Sequence, residues 1–270
     1  PFDARTQMTH NTSAPGFAIP THLKEMTAIV TGGASGIGLD IARDLARQGC
    51  RVAIWDLNAD ALQSTSVSLR AEGLEVIAEE LSVTSEEDVM GAVSRLVGVS
   101  GRIDILVNNA GIGGDRLIAK IDLGFWQRVI DTNLTSQFIC CKAVAPQMVT
   151  QGFGRIINIS SRAWLGNRGQ ASYSASKGGV VSFTRSLALE YARNGITANA
   201  IAPGIIETPL FETITDKVKD DLKRSVPVQR IGQPSDVAQA VRFFAQPEAS
   251  YLTGQLLYVC GGRSLSSASV

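Results

Sequence analysis

TAIVTGGASGIGLDIARDLARQG, residues 27–49, is the stretch on which the fold turns. TAIV is an apolar run rich in β-branched residues. It breaks at Thr31-Gly32, and the segment beyond Gly38 then repeats apolar residues at helical spacing. A strand that feeds a helix through glycines suits a phosphate-bearing ligand. Gly32 relieves the turn, Gly36 lets a pyrophosphate approach the backbone, and Gly38 permits close helix–sheet contact. Unpaired N–H groups of the helix's first turn then face the anion. Ser35 and Ile37 lie between these glycines and join them as candidate cofactor contacts.

Outward from this unit the same beat continues. Helices are expected over about 36–48, 59–70, 86–98, 124–149, 173–191 and 235–245, alternating with the strands RVAIWD, EVIAEE, IDILVNN, GRIINIS, ITANAIA and QLLYV. Apolar strands separated by helices imply a mainly parallel sheet, because each crossover must return to the same sheet. The expectation is an α/β, doubly wound, Rossmann-like fold with seven strands and helices on both faces. Ligands of such sheets gather beyond the carboxyl ends of the strands.

The 270 residues can bury one large core, so residues 25–262 are expected to form a single domain. Residues 1–24, aperiodic and rich in Pro, Thr and Asn, are expected to be a flexible arm, and the first residue, Pro1, suggests processing or truncation. Residues 263–270 are expected to be a C-terminal tail. Lys plus Arg number 25 and Asp plus Glu 25, a balance that argues against nucleic acid or an anionic membrane as the main partner. No apolar run reaches the roughly 20 residues needed to cross a bilayer. Cys50, Cys140, Cys141 and Cys260 show no paired metal spacing and read as core residues in a reducing, cytoplasmic setting. His10 and His22 lack metal partners, so no metal is expected.

Asp56 ends the second strand, 18 residues after Gly38, where it can accept hydrogen bonds from an adenosine ribose; Leu57 follows it. A 2′-phosphate would meet a like charge there, which predicts NAD in preference to NADP. A plain turn role for Asp56 is the alternative. The motif NNAG, residues 108–111, follows a buried strand; Asn108 is expected to tie adjacent loops, and Asn109, Ala110 and Gly111 to wall the cofactor. In PGIIETP, Pro203 and Gly204 precede Ile206 and Thr208, which are placed to grip the nicotinamide carboxamide.

Chemistry requires a proton donor and acceptor beside the hydride carrier. Tyr173 and Lys177 are one helical turn apart, so the amine can favour the phenolate, and Lys177 can also hold the nicotinamide ribose. Ser161 ends a strand where its hydroxyl can fix a substrate oxygen. Ser160 is its competitor, since strand alternation turns only one of the two into the site. Asn133 stands inside a helix, where it can divert a local carbonyl or retain a water behind Lys177. Ile112, Gly113 and Gly114 with Trp164 form the expected entrance, and Leu210 and Phe211 are candidate substrate contacts at the edge of a short helical lid. Trp164 can equally stabilise its own loop.

Together TGGASGIG, NNAG and the Asn133, Ser161, Tyr173, Lys177 set resemble the classical short-chain dehydrogenase/reductase family, over about residues 24–262. The resemblance implies metal-independent hydride transfer and a homotetramer paired through the helices that carry Asn133 and Tyr173. It places Ser82 where many members have an adenine-contacting Asp, with Val83 left to pack on the base, and Cys260 where a terminal Asp is usual. The expected function is NAD-dependent interconversion of a secondary alcohol and ketone, on a small to medium apolar, cyclic or polyol substrate, with Tyr173 as general acid and base. The alternatives are a 3-oxoacyl thioester reductase and a non-catalytic NAD-binding interaction protein.

Overall fold

A computed structural model describes residues 17–208, 211 and 215–265. Seven strands form one parallel sheet: β1 (Thr27–Thr31), β2 (Arg51–Asp56), β3 (Val76–Glu80), β4 (Ile105–Asn108), β5 (Gly154–Ile159), β6 (Ile196–Pro203) and β7 (Leu256–Val259). Their order is β3-β2-β1-β4-β5-β6-β7. The chain therefore winds one way from β1 to β3 and the other way from β4 to β7. β1 pairs with β2 on one side and β4 on the other, which opens a crevice at the carboxyl end of β1.

Side-chain alternation on β1 sorts the two cores. Ala28 and Val30 pack with Ile41 and Leu45 of α1 (Gly36–Arg47), Leu62 of α2 (Ala59–Ala71) and Val237, Val241 and Phe244 of α8 (Pro234–Ala245). Ile29 points the other way, into a core with Val89 and Leu96 of α3 (Glu86–Ser100), Val144 and Met148 of α5 (Ser136–Gln151) and Leu187 of α6 (Ala171–Tyr191). The period of two along the strand thus gives the sheet two apolar faces, each covered by helices.

Local signals fix the helix starts. Asn58, Ser85 and Asp122 each accept a backbone N–H of the first turn, opening α2, α3 and α4 (Leu123–Ile130). Ser35, at the start of α1, makes no such side-chain bond. The single long helix expected over 124–149 is interrupted: α4 passes into a π-helical turn, Asp131–Thr135, before α5 begins. The expected lid contains a helix, α7 (Asp216–Arg224), whose side chains are largely exposed. Of the expected N-terminal arm only residues 17–24 are described, and Leu23 is buried there, its carbonyl accepting the Cys50 thiol at 3.0 Å. The expected tail is described only to residue 265, in a turn.

Candidate active site

A cleft of about 680 Å³ opens at the β1–β4 crevice. Among the residues expected to bind a cofactor, Gly32, Ser35, Gly36, Ile37, Asp56, Leu57, Ser82, Val83, Asn109, Ala110, Gly111, Tyr173 and Thr208 line it. Trp55, Leu81, Thr84 and Thr132 also line it and were not anticipated, although each is a sequence neighbour of a residue that was. Ile112, expected at the entrance, is in the lining as well.

The floor of the cleft fits a diphosphate. Gly32 and Gly36 have φ of 61° and 52°, the left-handed region that disfavours a side chain. A Cβ on Gly38 would stand 2.0 Å from the Gly32 carbonyl oxygen, so helix and turn touch only because that position is glycine. With Ser35 leaving the first turn of α1 uncapped, its N–H groups remain free to receive an anion.

Thr31 and Asn109 hold the wall. The Thr31 hydroxyl accepts the Asn109 and Ala110 N–H groups, both at 3.0 Å. Asn109 Nδ2 donates to the Thr31 and Gly32 carbonyls at 3.0 and 3.1 Å. Loop tying was expected of Asn108, and the structure gives that work to Asn109. Asn108 is buried and donates instead to Asn158 Oδ1 at 2.9 Å and to Cys141 Sγ at 3.3 Å, because strand alternation turns it into the layer beneath the sheet.

The four residues expected to carry the chemistry come from three elements, the π turn, the end of β5 and α6. Ser161 follows β5 and accepts the Ala163 N–H at 3.1 Å, while the Tyr173 hydroxyl is hydrogen-bonded to it. Ser160, its competitor, has Oγ donating to the Lys177 carbonyl at 2.8 Å and so faces the helix. Lys177 is buried, its Nζ donating to the Ile159 carbonyl at 2.9 Å and lying 5.7 Å from the Tyr173 ring centroid. Burial pushes this ammonium down to about 8. Tyr173 is pushed up, first by burial and then by the charge of Asp115, against the lowering pull of the Ser161 hydrogen bond.

Asn133 sits in the π turn, fully buried. Its Oδ1 accepts the Ile112 N–H at 2.7 Å and its Nδ2 donates to the Ile112 carbonyl at 3.0 Å and to Ser176 Oγ at 3.2 Å. A Cβ on Gly111 would lie 3.1 Å from Asn133 Oδ1 and 3.4 Å from Lys177 Nζ, so these two side chains meet beneath Gly111.

Other expected contacts stand back from the lining. Pro203 closes β6, and Gly204 packs against Cys260, 2.8 Å from a Cβ it does not have. Ile206 is buried in the apolar core and bridges to Gly232. Trp164 lies in a short turn after Ser161, its N–H donating to the Ser161 carbonyl at 3.0 Å. Phe211 is buried, with Lys219 Nζ 5.8 Å from its ring, and Leu210 lies outside the described residues. Ser82 Oγ pairs with Thr84 Oγ1 at 2.8 Å, and Cys260 Sγ with Ser264 Oγ at 3.3 Å.

Comparison with known proteins places these features in context. A family model described as enoyl-(acyl carrier protein) reductase matches residues 32–264. The chain is 41% identical to (2S)-((R)-hydroxy(phenyl)methyl)succinyl-CoA dehydrogenase subunit BbsD of Thauera aromatica, over 90% of this chain and 98% of that one. It is 40% identical to the 3-oxoacyl-(acyl-carrier-protein) reductase FabG of Staphylococcus epidermidis, over 87% and 98%. A variant of actinorhodin polyketide ketoreductase, solved with NADPH, superposes with a TM-score of 0.86 at 39% identity, over 92% of this chain and all of that one.

These relatives correct the expected choice of NAD over NADP, since the ketoreductase is solved with NADPH. The physical reason lies at Asp56. Its two oxygens accept backbone N–H groups of Ala34 at 3.2 Å and Asn58 at 3.1 Å, so the carboxylate braces the phosphate turn against the start of α2. The turn role that stood as the alternative is the one the geometry displays. With the glycine floor, the Asn109 wall and Tyr173 lining one cleft, and Ser161 and Lys177 beside Tyr173, the chain is an NAD(P)-dependent oxidoreductase and belongs to the short-chain dehydrogenase/reductase family.

Proposed function

We propose that this protein reduces the 3-oxo group of an acyl thioester with NADPH, giving the 3-hydroxyacyl thioester, and runs the reverse oxidation when product is in excess. The observation that carries this reading is the Ser161–Tyr173 hydroxyl pair, two O–H groups placed together at the cleft that the glycine turn serves. Both can address one carbonyl oxygen. The names of the two curated relatives, each acting on an acyl thioester, favour this substrate class over the cyclic alcohols and polyols expected from the sequence.

Reduced nicotinamide, when bound, supplies hydride to the ketone carbon. Ser161 holds the ketone oxygen, and Tyr173 gives that oxygen its phenolic proton as the new C–H bond forms. The phenolate left behind is stabilised by Lys177 until a solvent proton restores it. One Lys177 N–H is already spent on the Ile159 carbonyl, which aims the remaining two away from β5. Asn133 acts through backbone, holding Ile112 and with it the Gly111 wall.

The test is a substrate panel with NADPH: acetoacetyl-CoA, acetoacetyl N-acetylcysteamine, cyclohexanone and a ketose. The thioesters are expected to turn over with kcat/KM at least tenfold above the others. Equal or better turnover of cyclohexanone or the ketose contradicts the thioester assignment.

A further inference from the structure

The connection after β4 is cross-linked to the turn before α6. The Arg116 N–H donates to the Gly169 carbonyl at 2.7 Å, and Arg116 and Gln170 form an isolated parallel bridge. The side-chain amide of Gln170 is used at both ends. Its Oε1 accepts Asn167 Nδ2 at 3.0 Å, and its Nε2 donates to Asp115 Oδ1 at 2.7 Å. Only one amide orientation satisfies both neighbours, since a carboxylate accepts and cannot donate. Gln170 immediately precedes α6, and its carbonyl accepts the Ser174 N–H at 2.7 Å, so whatever fixes Gln170 fixes the turn that carries Tyr173.

We propose, resting on the reading of Tyr173 as proton donor, that Asn167, Gln170 and Asp115 form a positioning clamp. It fixes the first turn of α6 to the β4–α4 connection and holds the Asp115 carboxylate on Gln170, three residues before the phenol that its charge raises. A negative charge beside an acid keeps its proton on, and the protonated phenol is the form that reduction consumes. Lys177, from Tyr173's own helix, exerts the opposite pull.

Three other charged groups on neighbouring elements are engaged elsewhere. From the turn after β5, Arg162 directs Nε to the Arg263 carbonyl at 3.1 Å. From the π turn, Asp131 Oδ1 is held by Gln127 Nε2 at 2.9 Å and by the Thr135 hydroxyl at 3.3 Å. Arg116 lies over the Phe125 ring at 4.2 Å and pairs with Asp122 at 3.6 Å. The clamp therefore decides where the Asp115 charge, which raises Tyr173, stands.

The test compares pH profiles of kcat for acetoacetyl-CoA reduction and for 3-hydroxybutyryl-CoA oxidation in wild type, Asp115→Asn, Asp115→Glu and Gln170→Leu, with thermal melting alongside. Asp115→Asn keeps the size and an acceptor oxygen and removes only the charge. It is expected to move the Tyr173 limb in both directions to lower pH by roughly half a unit, with melting unchanged, because Asp115 is exposed and partly screened. Gln170→Leu is expected to shift the limb the same way, and Asp115→Glu to restore it. An Asp115→Asn profile that coincides with wild type, while Tyr173→Phe is inactive, overturns the clamp alone. Turnover retained by Tyr173→Phe overturns the proton-donor reading and the clamp with it.

Discussion

Ser160 and Ser161 are adjacent, chemically identical, and turned to opposite tasks by the pleat of β5. Ser160 Oγ closes a bond to the Lys177 carbonyl, and Ser161 pairs with the Tyr173 hydroxyl. Their substitutions should therefore separate cleanly. Ser161→Ala removes a donor from the ketone oxygen and is expected to lower kcat roughly 100- to 1,000-fold. Ser160→Ala removes one buried neutral hydrogen bond, costs about 1 kcal/mol of stability in urea unfolding, and leaves kcat within a few fold of wild type. A larger kcat loss for Ser160→Ala than for Ser161→Ala contradicts the assignment. Asp56 teaches the opposite lesson. Its type, its position at the end of β2 and a local turn bond to Asn58 were readable from the sequence, but its bond to Ala34 was not, because Ala34 meets it only once the turn after β1 is folded.

At the scale of elements, the strands and most helices were legible because hydrophobic period and caps agree locally. The Gly36, Ala59 and Glu86 starts fall where the sequence expects them, the latter two each behind a capping residue. The break between α4 and α5 was not legible. Apolar spacing continues straight through residues 124–149, and nothing local announces a π turn. The break is explained by a long-range bond set: Asn133 must reach both backbone groups of Ile112, which belongs to the connection after β4. Asn133→Ala leaves those part-buried groups short of partners. It is expected to cost about 1–3 kcal/mol in urea unfolding and to speed exchange of the Ile112 amide. Unchanged stability together with unchanged Ile112 protection would show that the π turn has another cause.

Across the whole molecule, the two ends of the sheet do different work. At the amino ends of the strands, Asp104 Oδ2 accepts the Thr27 N–H at 2.9 Å, and Gln151 brackets Ile103, accepting its N–H at 2.9 Å and donating to its carbonyl at 2.8 Å. Arg155, buried at the same end, spends its guanidinium on the carbonyls of Gly154, Gly195, Gln246 and Pro247. Burial pushes it down to about 10, which still leaves it charged at neutral pH. These three buried side chains are tied to backbone, as a scaffold requires. At the carboxyl ends the glycine turn leaves N–H groups open, and Tyr173, with Ser161 and Lys177 beside it, lines a cleft. The claim on which this division rests is that the Tyr173 hydroxyl supplies the proton. Single-turnover reduction of acetoacetyl-CoA by NADPH, with NADPH affinity followed by fluorescence, tests it most directly. Tyr173→Phe is expected to bind NADPH within a few fold of wild type and to reduce substrate roughly 100- to 10,000-fold more slowly. A Tyr173→Phe enzyme that reduces the thioester at the wild-type rate would contradict the account.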